Sequence, residues 1–292
     1  MRADLHVHSD ASDGTEPPAE VVRRAAAAGL DAVALTDHDT VAGIGPAARA
    51  LPPGLALVPG MELSCRMNGP DRGVPGGSSP RGQHSVHLLA YLFDPAHAEL
   101  AAQTRRIRGD RVRRARAMVA RLSDLGVPVT WEQVAAIAGT AVVGRPHIAR
   151  AMAAAGAIAS PAEAFTADWI GDGGRAYVGR YALDPARAIR LVREAGGVAV
   201  LAHPRSRPRV PDEEIARLAA AGLAGVEVFH PDHDESERSA LLALATSLGL
   251  VATGGSDDHG ALTGHRIGRE TTPADAYARL ACLATGTGIV RR

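Results

Sequence analysis

Short apolar runs, each closed by polar residues, glycine or proline, recur along this chain and alternate with stretches whose apolar positions repeat every three to four residues. The runs read as strands and the repeats as amphipathic helices. From the N-terminus the order is strand over 3–8, helix over 18–28, strand over 32–35 and strand over 55–62. The alternation resumes after Asp184-Pro185 with a helix to 195, strand 198–201, helix 212–220, strand 225–229, helix 235–248 and strand 250–253. Repeated strand-helix units predict a parallel sheet with right-handed crossovers, closed or nearly closed as a barrel.

Two stretches interrupt the alternation. Residues 66–83 are rich in Gly, Pro and Ser without apolar periodicity, and predict a loop. Residues 99–178 are dominated by helical periodicity, with helices expected to 125 and over 131–138, 146–155 and 161–169. The expected organisation is therefore a barrel domain of 1–98 and 179–292, with 99–178 as a helical insertion covering the active face.

Polar residues gather where the apolar runs end. His6 and His8, two apart on one strand, project to the same side and can grip one metal ion. Further clusters follow as Thr36-Asp37-His38-Asp39, Ala202-His203-Pro204 and Ser256-Asp257-Asp258-His259. If the runs are parallel strands, these clusters meet at the C-terminal ends of the strands, where barrels of this class carry their chemistry.

Composition narrows the partners. With 292 residues and 46% apolar content the chain can bury a full core, and its 32 basic and 32 acidic residues balance. Whole-chain charge gives no reason to expect a nucleic-acid or membrane protein. All the basic side chains are arginine, which fits base composition better than function. Cys65 and Cys282 are too few and too far apart for a disulfide framework or a zinc finger. No apolar leader or bilayer-length run is present, so a cytoplasmic location is the default expectation. Arg105, Arg108, Arg111, Arg114 and Arg121 predict one solvated face of the long helix, and 3% aromatic content offers few stacking platforms for single strands.

The order His6-x-His8, Asp13, Thr36-Asp37-His38, Gly60-x-Glu62, His87 after a short apolar run, Ala202-His203-Pro204 and Ser256-Asp257-x-His259 resembles the polymerase and histidinol phosphatase (PHP) family of metal-dependent phosphoesterases. The resemblance implies a distorted (βα)7 barrel holding three divalent metals. It assigns His6, His8, Glu62 and Asp257 to the first metal, Glu62, His87 and His203 to the second, and Asp13, His38 and His259 to the third. About three carboxylate charges would face about six positive charges, so the site would be cationic toward phosphate. Mixed imidazole and carboxylate donors suit manganese, iron or zinc, with manganese the first choice. Asp258 departs from the bulky residue common at that position in similar proteins.

Within the family, the helical insertion after His87-Leu88-Leu89-Ala90-Tyr91, and Gly144-Arg145-Pro146-His147 within it, resemble the branch of nucleoside-3',5'-bisphosphate phosphatases and 5'-to-3' exoribonucleases. That resemblance implies hydrolysis of the 3'-phosphate of a nucleoside 3',5'-bisphosphate to the 5'-monophosphate, with trimming of short 5'-phosphorylated RNA as a variant. Arg145, His147 and His230 become candidate substrate-binding residues. Asp37, His147 and His230 become candidate catalytic residues, Asp37 either orienting an imidazole or capping the following helix. The partner is then a small phosphorylated nucleotide or short oligoribonucleotide, with no membrane and no protein partner inferred. The competing readings are a histidinol-phosphate or other small-molecule phosphomonoesterase, and a non-catalytic metal-bound module.

Overall fold

The computed structural model describes residues 1–68, 83–206 and 209–292. Seven strands form one sheet in the order of the chain: β1 (Ala3–Val7), β2 (Ala32–Leu35), β3 (Ala56–Asn68), β4 (Gln83–Tyr91), β5 (Val198–Leu201), β6 (Gly225–Phe229) and β7 (Val251–Gly254). A parallel bridge between Val7 and Asp258, with His8 N–H donating to the Asp258 carbonyl at 2.9 Å, links the last strand's end back to the first. The result is a nearly closed seven-stranded barrel.

The expectation of parallel pairing holds for β1 with β2, β2 with β3, β5 with β6 and β6 with β7. It fails at β4, which runs antiparallel to β5 with Leu88 opposite Leu201 and Tyr91 opposite Val198. The predicted loop over 66–83 falls mostly outside the described residues; at its edges β3 reaches Asn68 and β4 begins at Gln83.

Helices cover the strands for local reasons. In α1 (Pro18–Ala27), Pro18 stands at the first turn where no N–H is needed, Val21, Val22 and Ala25 form the buried stripe, and Gly29 at φ 71° ends it. The helix α6 (Pro185–Glu194) starts on Asp184, whose carboxylate accepts from Arg187 N–H. Helices α7 (Asp212–Ala220) and α8 (Glu235–Ser247) follow β5 and β6 as the periodicity predicts. Two further helices, α2 (Ile44–Arg49) and α9 (Ala274–Leu283), were not expected. Ala276, Tyr277 and Leu280 of α9 join Ala3, Leu5, Ala34, Val58, Leu89, Val200 and Val251 in one buried cluster. Side chains from six strands around the ring meet in that cluster, so it is the barrel interior. Small residues there match the limited space inside a barrel of few strands.

The chain divides into two compact units. The barrel unit comprises Met1–Arg66, Ser85–Thr104 and Leu183–Arg292. The second unit is built chiefly from Arg105–Ala182 and is helical. It holds most of α3 (Ala98–Asp124), then α4 (Trp131–Ala138) and α5 (Arg145–Ala154), around Met118, Leu122, Val134, Ile148, Met152 and Ile170. Thr130 and Gln133 form a reciprocal cap at the start of α4. The helix expected over 161–169 is only a short 3-10 turn, Pro161–Phe165. Beyond it Trp169 O accepts from Ala176 N–H and Ala167 O from Arg175 N–H, so the backbone is satisfied by a glycine-bearing turn instead of a continued helix. The arginine stripe of α3 is not uniformly solvated: Arg114 is buried, its Nε donating to Val178 O at 2.6 Å, while Arg105 stays exposed. No described helix is long and apolar enough to cross a membrane.

Candidate metal centre

The ends of β1, β2, β5 and β7, with β3 and β4, bring all nine expected ligands together in the barrel unit. Two register shifts sit beside them. Three steps of β1, Asp4 to Val7, oppose two of β2, Val33 to Leu35, and Glu227 to Phe229 of β6 oppose Thr253 to Gly254 of β7. Such irregularities re-aim side chains at the rim of a barrel. Asp39, His203 and Asp257, just past β2, β5 and β7, all have positive φ, at 56°, 29° and 48°. Backbone strain of this kind persists only where surrounding contacts over-determine it.

Glu62 lies at the centre. Its Oε2 is 3.3 Å from His6 Nε2, 3.1 Å from His8 Nε2 and 3.1 Å from His38 Nδ1. Its Oε1 is 2.7 Å from His87 Nδ1 and 3.0 Å from His203 Nε2. Asp257 Oδ1 stands 3.3 Å from both His6 Nε2 and His8 Nε2, which are themselves 3.1 Å apart. Asp13 reaches His259 Nε2 at 3.4 Å and His38 Nε2 at 3.7 Å.

Three donor sets are compact enough to hold an ion each: His6, His8, Glu62 and Asp257; His38, Glu62 and His87; and His8, Asp13, His38 and His259. The sets differ from the division the resemblance gives: His8 and His38 each face two sets, and His38 takes the place expected for His203, which lies 3.0 Å from Glu62 Oε1 but falls in none of the three. Buried ligand atoms such as His8 Nδ1 and Asp13 Oδ1 have no hydrogen-bond partner. Lone pairs buried against one another are costly unless a cation lies between them, so the residues fit a cluster of divalent ions.

The electrostatics agree. Burial pushes the carboxyls of Glu62, Asp13 and Asp257 up, but the surrounding imidazoles reverse this and hold all three well below the usual carboxylate range. Burial opposes charging of His8, yet Asp257 and Glu62 raise it to about 10. His38 goes the other way, lowered to about 3 chiefly by burial, so the centre combines ionised carboxylates with a neutral imidazole donor and is suited to a cation.

A layer of carboxylates lies behind the ligands. Asp37 accepts from Ser9 N–H at 2.8 Å, Ser9 Oγ at 2.7 Å and Ser12 Oγ at 2.7 Å, fastening the turn between His8 and Asp13. Asp4 accepts from Ser256 N–H at 2.9 Å and Gly268 N–H at 2.8 Å, tying β1 to the segment after β7. Asp258 takes Gly260 N–H at 3.0 Å and Arg266 N–H at 2.6 Å, tying the segment after β7 to itself. Glu227 accepts from His6 Nδ1 at 3.0 Å. Sequence reading missed Asp4, Glu227 and Arg266, whose Nη2 lies 3.4 Å from Asp257 Oδ2. The available signal was a charged residue in the middle of each of two apolar strands.

His230 is buried at the end of β6, with Nε2 3.5 Å from Asp257 Oδ2. Its Nδ1 accepts from Asp232 N–H at 3.1 Å, so a neutral ring carries its proton on Nε2 and presents a donor. Arg145 and His147 belong to the helical unit. Arg145 pairs with Asp172 Oδ1 at 2.7 Å, and buried His147 accepts the Gly144 N–H at 3.0 Å, closing the first turn of α5.

Comparison with known proteins gives this centre a family. Residues 4–105 match the PHP domain. A 5'-3' exoribonuclease of Haemophilus influenzae is 32% identical over 88% of this chain and 89% of its own. A 3',5'-nucleoside bisphosphate phosphatase of Chromobacterium violaceum is 33% identical over 88% and 86%. A solved structure from Bifidobacterium adolescentis, assigned to the metal-dependent phosphoesterases, superposes with a TM-score of 0.84 at 35% identity, covering 97% of this chain and 96% of that one. With its barrel and its multi-metal donor cluster, this chain belongs to the PHP family of metal-dependent phosphoesterases.

Proposed function

We propose that this enzyme removes the 3'-phosphate of nucleoside 3',5'-bisphosphates, releasing phosphate and the 5'-monophosphate, with manganese as the working metal. The observation that carries the reading is the set of three overlapping donor groups around Glu62, taken with the likeness to the Chromobacterium bisphosphate phosphatase. Bound divalent ions supply hydroxide near neutrality and neutralise phosphoryl oxygens. The nine ligands His6, His8, Asp13, His38, Glu62, His87, His203, Asp257 and His259 hold them. Mixed imidazole and carboxylate donors suit manganese before magnesium or calcium.

The other residues have positioning roles. Asp37 holds the turn that carries Asp13, and His230 offers an Nε2–H to a phosphoryl oxygen or to the departing oxygen. In the helical unit Arg145 receives the second phosphate, with His147 shaping the α5 N-terminus that presents it. Support comes from the arginines gathered there. Arg111, Arg114 and Arg145 line one small cavity with Gly144, and Arg114 is lowered to about 9, by burial first and then by Arg145, Arg180 and Arg111. Several buried or half-buried guanidiniums around one cavity favour an anion of more than one charge.

Trimming of short 5'-phosphorylated RNA is the second reading, favoured by the Haemophilus relative. Both are tested by phosphate and nucleotide release from manganese-loaded protein. The panel is adenosine 3',5'-bisphosphate, 3'-AMP, 5'-AMP, histidinol phosphate, a cyclic phosphodiester and a short 5'-phosphorylated RNA. The expected result is preference for the bisphosphate with 5'-AMP as product. Equal rates on 3'-AMP, or activity confined to another substrate, would overturn it.

A further inference from the structure

Glu227 is a carboxylate in the middle of β6, completely buried, and hydrogen-bonded to His6 and His203. Burying a carboxylate is costly, so its hydrogen bonds should reveal what it is for. It has two sets. Its oxygens lie 3.0 and 3.3 Å from His6 Nδ1, and its Oε2 accepts the main-chain N–H of His203 at 2.8 Å. A carboxylate only accepts, so His6 Nδ1 carries the proton and its Nε2 keeps a lone pair. That Nε2 is the atom 3.1 Å from His8 Nε2 and 3.3 Å from Glu62 Oε2 and Asp257 Oδ1. The second bond acts on a residue whose φ of 29° is uncommon for any residue but glycine, and whose Nε2 lies 3.0 Å from Glu62 Oε1.

We infer that Glu227 is a positioning residue of the metal centre, one carboxylate that fixes the ring tautomer of His6 and the main chain of His203 and so sets ligands on two strands at once. Its place follows from the sheet. β6 pairs with β5, which leads into His203, and with β7, whose end closes onto β1 and His6. The register shift between Glu227 and Phe229 lies at the same point. This inference rests on reading His6 as a metal ligand.

The test is Glu227→Gln, which keeps the volume but has one accepting oxygen and one donating amide. If the oxygen serves His203, the amide faces His6 Nδ1 and favours the ring with its proton on Nε2, pointed into the donor set. If it serves His6, two N–H groups meet at His203. Two readouts separate positioning from mere packing. Manganese titration of the chelator-stripped protein should show affinity at one site weakened by about 10- to 100-fold. Long-range proton-nitrogen spectra of zinc-loaded protein should show His6 protonated on Nδ1 in the wild type and altered in the variant. The tautomer of the wild type is a test in itself, independent of whether the variant folds: a proton on His6 Nε2, or metal on Nδ1, overturns the inference. So does a folded Glu227→Gln protein with wild-type metal affinity and an unchanged His6 spectrum. His6→Ala serves as the control. If it leaves metal content intact, His6 is not a ligand and the underlying reading fails; if it lowers metal content while Glu227→Gln does not, only the role of Glu227 fails.

Discussion

The two units of this chain bury different things. The barrel unit hides His6, His8, Asp13, Asp37, Glu62, Glu227 and His230. Among the described residues of the helical unit from Arg105 to Ala182, the buried charged or imidazole side chains are Arg114 and His147, and each is bonded to main chain of the same unit. The remainder of its core is Met118, Leu122, Ile148, Met152 and similar residues. An apolar core is stabilised by its own burial, whereas a core of ionised carboxylates facing imidazoles needs compensating charge. The barrel should therefore depend on bound cations and the helical unit should not.

The substitution that strains this contrast most is Glu62→Gln, because the two oxygens of Glu62 lie within 3.3 Å of five imidazoles. An amide cannot face all five with lone pairs. We expect kcat/KM to fall by about 10³-fold or more, the several kcal/mol that metal-borne charge stabilisation supplies. Metal content should fall with it. Both tryptophans of the chain, Trp131 and Trp169, lie in the helical unit, so their emission reports on that unit alone. It should stay at its wild-type wavelength. Full metal loading in the variant, or a tryptophan shift of the same size as the metal loss, would break the contrast.

Chelation is the next largest effect. Removing an ion held at about 100-fold its dissociation constant costs about 2.7 kcal/mol, or roughly 5–10 °C in Tm for a unit of this size. Far-ultraviolet circular dichroism should show a transition that drops by that amount with chelator and recovers with manganese. The tryptophan-detected transition should move less. Identical shifts by both probes would mean that the units unfold together and that the helical unit shares the dependence.

The same contrast explains what could be read from sequence. Of the nine expected ligands, His38, His203, Asp257 and His259 were suggested by standing just past apolar runs, since strand ends converge by topology, whereas Asp13 in a turn and Glu62 and His87 inside longer strands were suggested only by the family resemblance. His6 and His8 needed only the two-residue repeat of a strand. The direction of β4 was not legible, since alternation looks the same read either way and Leu88 finds Leu201 only in three dimensions. The helix α9 hid because Ala276, Tyr277 and Leu280 make a short stripe among alanines. In the stripe of α3 the period was visible, but the burial of Arg114 depends on Val178, 64 residues away. Asp37 likewise takes its partners from Ser9 and Ser12, well before it in the chain, so its spacing alone left capping and orienting equally open. Local pattern reveals what a residue can offer; its partner is set by the fold.

The smallest expected effect concerns the helical unit's part in substrate choice, through Arg145→Ala. Arg145 and Asp172 are both partly exposed, with side chains 26% and 52% accessible, so their ion pair contributes little to stability. Its loss should leave both thermal transitions within about 1 kcal/mol of wild type. A charge-assisted bond to phosphate is worth about 1.5–3 kcal/mol, which predicts KM for adenosine 3',5'-bisphosphate raised by roughly 10- to 100-fold. The 5'-phosphate is the group Arg145 is proposed to hold, so KM for 3'-AMP should not change. Steady-state kinetics on the two substrates decide between two divisions of labour. A selective rise for the bisphosphate makes the apolar unit the reader of the second phosphate while the barrel cleaves the first. An equal effect on both, or none on either, would leave recognition as well as chemistry to the barrel.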